Sequence, residues 1–451
     1  MSRPDPSPRQ RALQALLEIQ QRGAYADMAL ERVLQGATLA GPDRSLVTEL
    51  VYGSTRRQRS LDALLDHLGK QPAQQQPPLL RAILHLGLYQ LRYLERVPAA
   101  AAVHTSVNLA KQNRLGKLAG VVNGILRRYL REAATGDPLP LPAGAIARLG
   151  VEHSLPDWVV ALWAEQFDLA TAADLGAWFN QPPSLDLRVN PLKTSVAAVQ
   201  AALAERQLEA APVPPLPQAL RLRGATGAIH QLPGFGAGHW TVQDSGAQLA
   251  AYLLAPQPGE VVIDACAAPG GKATQIAELM GDVGTVWASD RHPQRLTKVG
   301  EAAARLGLRS LQLCPGDARA LPQFVNQAER VLLDAPCSGL GTLHRHPDLR
   351  WRQTPATVAE LTQLQRELLA ATATWVKPGG ILVYVTCTLN AAENEKIVTA
   401  FLGDHPEWQL QPPPPEFPWA SLASQAGWLQ LLPSVHSCDG FFMARLQRQG
   451  G

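Results

Sequence analysis

Residues 261–272 read VVIDACAAPGGK, and this stretch decides the fold. Val261 to Asp264 form a short β-branched run of strand length. It passes into small residues and two glycines, and Lys272 then enters a helix. The pattern repeats outward from there. Apolar strand runs stand at 285–290, 311–314, 330–334 and 381–386, with helical stretches between them. These are continuous Val/Ile/Leu runs, which indicates strands covered on both faces. The sequence therefore predicts an α/β domain over 239–451 with a doubly wound, largely parallel, Rossmann-like sheet. Phe441 to Leu446 is expected to add an antiparallel edge strand.

Ligands of such sheets bind outside the carboxyl ends of the strands. The turn Cys266-Ala267-Ala268-Pro269-Gly270-Gly271-Lys272 lets the backbone approach a ligand closely. It is not a phosphate loop, because Gly-x-x-x-x-Gly-Lys-Ser/Thr and a full Gly-x-Gly-x-x-Gly are both absent. A nucleoside cofactor without phosphates fits better. Asp290 ends the second strand, where a carboxylate accepts hydrogen bonds from both ribose hydroxyls. Asp317 follows the third strand, within reach of an adenine amino group. One Asp at a strand end is often only a helix cap, but three such features on successive strands point to S-adenosylmethionine. The expected cofactor set is the 266–272 turn with Asp290, Arg295, Asp317 and Asp334.

Two thiols reach the same edge. The fourth strand ends Asp334-Ala335-Pro336-Cys337 and the fifth ends Thr386-Cys387-Thr388. A cysteine in a strand is commonly a small buried apolar group. Two at strand ends beside a methyl-donor site suggest chemistry instead. Carbon 5 of cytosine is too weak a nucleophile to take a methyl group from a sulfonium unaided. A thiolate adding to carbon 6 converts the ring to an enamine whose carbon 5 attacks. Asp334 is placed to hydrogen-bond the exocyclic amine and nitrogen 3 of the base.

Upstream, residues 1–136 read as consecutive helices with no strand-like alternation. Leu61, Leu64, Leu65 and Leu68 lie at three-and-four spacing, and another apolar face, Leu79 to Leu91, begins just after Pro77 and Pro78. A last helix near 117–131 is expected to turn Val121, Val122, Ile125, Leu126 and Tyr129 inward. Residues 137–150 are a linker, opening on the Pro-rich end of AATGDPLPLPAG (133–144). A small α/β subdomain follows over 151–238, with Leu185, Leu187 and Val189 alternating along a strand.

The chain has 451 residues, 46% apolar and 18% charged, which is the balance of a multi-domain globular protein. Its net charge of +3 hides an asymmetry. Residues 1–136 carry 19 Lys+Arg against 10 Asp+Glu, a net +9, and the remainder carries 22 against 28, a net −6. Lys111, Arg114, Lys117, Arg127, Arg128 and Arg131 fall in a stretch of 21 residues without an acid, the mark of a phosphate-binding patch or of a solvated helical face. Five scattered cysteines with no Cys-x-x-Cys argue against a zinc site or a disulfide framework. No signal peptide or membrane-length apolar run is present, so a soluble cytoplasmic protein without a metal is expected.

The motifs DLRVN (186–190), VQDSGAQ (242–248), DACAAPGGK (264–272), LLDAPCSGLG (332–341), the Arg345-His346-Pro347-Asp348 turn with Trp351, YVTCTLNAAENE (384–395) and Asp439-Gly440-Phe441-Phe442 together resemble the RNA 5-methylcytosine methyltransferases. The closest resemblance is to the bacterial ribosomal RNA small subunit methyltransferase B, or Fmu/Sun, family. VVNGILRR (121–128) and its helical surroundings resemble the RNA-binding domain of antitermination factor NusB. The resemblance implies a class I methyltransferase sheet and a NusB-like domain that makes the basic patch an RNA contact. It also implies S-adenosylmethionine as methyl donor and a cytosine of 16S ribosomal RNA as target. Cys387 is then the nucleophile and Cys337 assists product release, with Asp334 and Lys272 completing the catalytic set. A monomer suffices for this activity.

Two departures from the family pattern, Thr388-Leu389-Asn390 and Ser245-Gly246, remove no reacting group. A DNA cytosine methyltransferase would lack the Thr-Cys on the next strand and would carry Glu-Asn after Pro-Cys; here Glu393-Asn394 follows Cys387 and is expected on a helix. Competing readings are action on a tRNA or 23S RNA, and a non-catalytic RNA-binding assembly factor. A scaffold has no need of Asp290, Asp334, Cys337 and Cys387 together.

Overall fold

The computed structural model describes residues 6–224, 227–422, 424 and 426–450. Two compact units divide the chain, Met1–Pro182 with Leu343–Arg352, and Pro183–Thr342 with Gln353–Gly451. Among the described residues no helix is long and apolar enough to cross a membrane.

The first unit is helical. Helices span Pro8–Arg22, Ala26–Leu34, Gly41–Arg56, Gln58–Leu68, Pro78–Tyr93, Ala99–Gln112 and Ala119–Ala133. The Ser7 hydroxyl caps the first by accepting the Gln10 N–H, and Gly23 closes it at φ +63°. Leu61, Leu64, Leu65 and Leu68 are all buried, as are Leu80, Ile83, Leu84 and Leu88. In the last helix Val122, Ile125, Leu126 and Tyr129 point inward, but Val121 does not; it is 42% exposed. Each residue turns a helix by about 100°, so Val121 and Val122 cannot share one narrow stripe.

Helices Ala145–His153, Asp157–Gln166 and Leu169–Trp178 follow, with Trp163 fully buried against Phe179. The segment 343–352 packs within this same unit. Arg350 there is fully buried and donates to the carbonyls of Arg56, His153, Ser154 and Phe179. Trp351 Nε1 donates to Thr55 O at 2.7 Å. The motif 345–351 is therefore built into the helical unit.

The second unit holds two sheets. The smaller contains β1 (Leu185–Val189), β2 (Glu209–Pro212), β3 (Ala219–Arg223) and β4 (Trp240–Val242) in the antiparallel order β2-β3-β1-β4. The alternation expected along β1 is there, but its polar members Asp186 and Arg188 are buried as well. Each is neutralised, Arg188 by the buried Glu278 and Asp186 by the half-buried Arg221, as a charge out of water requires.

The larger sheet contains β5 (Val261–Asp264), β6 (Thr285–Asp290), β7 (Leu311–Pro315), β8 (Ala328–Asp334), β9 (Val376–Thr386), β10 (Trp408–Gln411), β11 (Leu429–Leu431) and β12 (Phe441–Arg448). Its order is β10-β12-β9-β8-β5-β6-β7, with β11 also paired to β12. Strands β5 to β9 are parallel. Both faces are covered: Val262, Leu332, Val383 and Val385 enter one core, while Ile263, Val331, Leu333, Leu382 and Tyr384 enter another. This is the Rossmann-like sheet the continuous apolar runs predicted. Strand β12 is antiparallel to β9 but is not an edge, because β10 and β11 flank it outside. Its Phe442, Ala444 and Leu446 are fully buried, which an exposed edge would not tolerate.

Candidate active site

The chain runs from β5 out through β6 to β7 and then returns to the other side of β5 for β8 and β9. The order reverses between β5 and β8, and the crevice outside the carboxyl ends of a doubly wound sheet opens at such a point. Asp264 ends β5 and Asp334 ends β8, one on either side of that switch.

The turn after β5 is held open by its own backbone. Ala267 N–H donates to Ser289 O and Gly270 N–H to Ala267 O, both at 2.7 Å. Gly270 sits at φ +109°, and a Cβ there would stand 3.1 Å from Val299. Glycine thus serves both the conformation and the close packing. Helix Gly271–Leu279 starts at once and presents its amino terminus at the sheet edge.

Asp290 is buried; its Oδ1 accepts the His292 N–H at 2.8 Å, and its Oδ2 lies 3.4 Å from Arg295 Nη1. Arg295 Nη2 also donates to Ala268 O at 2.9 Å, so one guanidinium ties the turn to Asp290. Asp317 is more exposed and is gripped by Arg319, whose side chain takes both carboxylate oxygens at 3.0 and 2.7 Å. That pairing holds the Asp317 carboxyl down at about 2.

Asp264 is different. It is fully buried, and neither carboxylate oxygen meets a hydrogen-bond donor. Burial, reinforced by the charge of Asp334, pushes its carboxyl up to about 8. Burial likewise raises the Cys266 thiol.

Lys272 Nζ donates to Asp334 Oδ2 at 2.6 Å and lies 5.4 Å from the centre of the Phe441 ring. Burial pulls the Lys272 ammonium down, but Asp334, Cys387 and Asp264 outweigh it, so the ammonium is held more firmly than in water. Beside this pair, Cys337 Sγ and Cys387 Sγ stand 3.4 Å apart, both half-buried. The contact with Cys387, together with burial, raises the Cys337 thiol well above its ordinary value.

The two cysteine loops are clamped by Glu393, a fully buried residue. Its Oε1 accepts the Ser338 N–H at 2.8 Å and Gln365 Nε2 at 3.1 Å. Its Oε2 accepts the Ser338 hydroxyl, Asn390 Nδ2 at 3.2 Å and the Thr388 hydroxyl at 3.4 Å. Glu393 and Asn394 lie in the turn before helix Glu395–Asp404, not on a helix as expected. There the carboxylate points back at the strand ends. Gly341 completes the clamp: its N–H donates to Cys387 O at 3.0 Å, and a Cβ on it would fall 2.1 Å from Gly440 O.

Arg188 is a polar position of β1 whose role local sequence does not show. Its guanidinium is fully buried, donating to Gly271 O at 2.6 Å, Thr274 Oγ1 at 3.0 Å and both oxygens of Glu278. The small sheet thereby grips the start of the cofactor-turn helix. An Arg between Leu187 and Val189 was the one available signal.

In the helical unit, Lys111, Arg114, Lys117, Arg127 and Arg131 are exposed, while Arg128 is half-buried, donating to Glu132 Oε1 at 2.7 Å and Leu68 O at 3.1 Å. Arg128 and Arg131 border a cavity of about 650 Å³ with Lys70 on its rim and Leu80, Val121 and Ile125 among its walls. Among the described residues no cluster of His, Cys, Asp or Glu is arranged to hold a metal ion.

A Rossmann-like sheet with acidic residues at successive strand ends and a glycine turn at its switch point defines the methyltransferase class. Residues 251–447 match the family described as 16S rRNA methyltransferase RsmB/F, residues 155–228 the ferredoxin-like domain of RsmF/B-like methyltransferases, and residues 6–131 the NusB family. The chain belongs to the ribosomal RNA small subunit methyltransferase B family. It is 53% identical to the probable ribosomal RNA small subunit methyltransferase B of Synechocystis sp., over 98% of this chain and 99% of that one. The Bacillus subtilis protein of the same description is 36% identical, over 97% and 98%. A methyltransferase homologue from Pyrococcus horikoshii, 28% identical, covers 68% of this chain and 100% of its own with a TM-score of 0.59. Membership makes this chain an RNA methyltransferase of a family that uses S-adenosylmethionine.

Proposed function

We propose that the chain transfers a methyl group from S-adenosylmethionine to carbon 5 of a cytosine in 16S ribosomal RNA, through a covalent adduct between Cys387 and the base. The observation that carries this is the pair of thiols in contact at neighbouring strand ends, beside the Lys272–Asp334 ion pair.

The sheet edge suits this cofactor. Glycine lets the backbone approach at Gly270, no phosphate loop competes, and Asp290 sets a carboxylate at the edge beside the turn. The 266–271 turn, Asp290 with Arg295, and Asp317 would hold it. When bound, it supplies an electrophilic methyl group on a sulfonium.

The chain's own residues do the rest. Cys387 sulfur adds to carbon 6 of the ring, and electron density moves to carbon 5. Lys272 fixes Asp334 so that its free oxygen accepts from the exocyclic amine of the base, and from nitrogen 3 once the adduct is protonated there. Once carbon 5 carries the methyl group, a base removes its proton, the carbon 6–sulfur bond breaks and Cys387 leaves as thiolate; Cys337, whose thiol is raised by Cys387 and by burial, assists this release. Within the chain, 1–136 is the RNA-binding helical domain, 137–150 a linker whose last residues already lie on helix Ala145–His153, 151–238 a second RNA-facing subdomain and 239–451 the catalytic domain. Lys111, Arg114, Lys117, Arg127, Arg128 and Arg131 contact phosphates.

The test is methyl transfer to naked 16S RNA with mapping of the modified base, run on two variants. Cys387→Ala should give neither methylated RNA nor covalent complex. Cys337→Ala should accumulate a protein–RNA species that survives denaturing electrophoresis. Exchanged outcomes would make Cys337 the nucleophile; full turnover in both would end the thiol mechanism.

A further inference from the structure

Cys337 and Cys387 have a second property that methyl transfer does not use. Their sulfurs are 3.4 Å apart, and a disulfide bond measures about 2.05 Å, so each sulfur need move only about 0.7 Å to close it. Side-chain rotation supplies such a shift. The backbone on either side is already fixed, by Glu393 at Ser338 and by the Gly341 N–H on Cys387 O. Both residues are half-buried. All five cysteines are free, and among the described residues no other two thiols are in hydrogen-bonding contact.

We propose that Cys337 and Cys387 are an oxidative modification site, closing to an intramolecular disulfide with a hydroperoxide and reopening with a dithiol. In the first step one cysteine sulfur, as thiolate, attacks the peroxide. An S–O bond forms, the O–O bond breaks, and the departing oxygen takes up a proton. The second sulfur then attacks the sulfenic sulfur; the S–S bond forms as the S–O bond breaks, and water leaves with the second thiol's proton. The two sulfurs together lose one electron pair, and hydrogen peroxide is reduced to two waters. A dithiol reverses this by thiol–disulfide exchange and leaves as its own disulfide.

Closure blocks the sulfur that the proposed reaction needs and stops it short of irreversible sulfinic acid. The loss of methyl transfer rests on the reading of Cys387 as nucleophile; the cross-link does not. Cytosolic disulfides are typically transient and redox-sensing, and this one fits that use.

The reduced full-length chain, treated with hydrogen peroxide, unfolded and titrated, should fall from five free thiols to three. Its mass should drop by two hydrogens, and a non-reducing peptide map should join the Cys337 and Cys387 peptides. Dithiothreitol should restore both thiols. In Cys337→Ser the same treatment should carry Cys387 on to sulfinic acid. A cross-link between any other pair, or equal sulfinic acid at Cys387 in wild type and variant, would overturn the proposal. A Cys337–Cys387 cross-link in protein that still methylates RNA would uphold it and remove Cys387 from the mechanism instead.

Discussion

Glu393→Gln is the substitution that most directly probes how the two cysteine loops are held. It keeps the shape and replaces one acceptor oxygen with an NH2 group in a fully buried site. If that NH2 takes the Oε1 position, it faces Ser338 N–H and Gln365 Nε2, neither of which accepts a hydrogen bond. If it takes the Oε2 position, the Ser338 and Thr388 hydroxyls can rotate to accept, but Asn390 Nδ2 is opposed. The second arrangement is cheaper and leaves one buried donor without a partner, at a cost of about 1–3 kcal/mol. For a unit of this size, each kcal/mol lowers Tm by about 2–4 °C, so a loss near the middle of that range means about 4–8 °C. Glu393→Ala orphans several donors and opens a cavity, costing roughly 3–6 kcal/mol. Differential scanning calorimetry of the catalytic-unit transition reads both values. The rate at which Cys337 reacts with a thiol reagent should rise as its loop loosens. A Tm within about 1 °C of wild type for Glu393→Gln would refute the clamp.

Asp290→Ala should weaken S-adenosylmethionine binding about a hundredfold, equivalent to about 2–3 kcal/mol of charge-assisted hydrogen bonding, as titration calorimetry would measure. An unchanged Kd would leave Asp290 only its bond to the His292 N–H. Neutralising Arg127, Arg128 and Arg131 together should weaken RNA binding and flatten its dependence on salt, with cofactor affinity intact; unaltered binding at moderate salt would refute the phosphate contacts. The Asp264 carboxyl sits at about 8 in the fold against an ordinary value of 3.8, so the native state holds a proton that the unfolded chain releases. Native stability from this group is therefore full below about pH 4 and is lost progressively as pH rises towards 8. Asp264→Asn should escape that loss, so its advantage over wild type in urea melts should widen from pH 5 to pH 8 and then level off. A difference independent of pH would show that Asp264 does not hold that proton.

Much of the catalytic domain was legible because local pattern and edge chemistry agree. Continuous apolar runs separated by helices specify a parallel sheet, and parallel strands put their carboxyl ends on one edge. Asp264, Asp290, Cys337 and Cys387 were therefore placed on a common edge by chain order alone. The helical register was legible for the same reason, since three-and-four spacing places Leu61 to Leu68 on one side of one helix. Val121 was misplaced because two adjacent valines cannot be sorted without knowing where the partner helix lies.

What only the tertiary structure decided is which groups meet across elements. Periodicity reports the face a side chain takes on its own element, and nothing about what stands opposite. Arg188 shows the limit: alternation marks it only as a polar position in a strand, yet Glu278, 90 residues away, neutralises it in the core. Glu393 is another case, because its donors come from the loop after β8, the turn after β9 and helix Pro355–Ala373. Strand β12 became an interior strand only once β10 and β11 were paired outside it. The sequence by itself determined the sheet, its reactive edge and the residue types standing there. The 3.4 Å between the thiols, the orphaned carboxylate of Asp264 and the Lys272–Asp334 pair were decided by tertiary packing, because each is a distance between groups that local sequence does not connect.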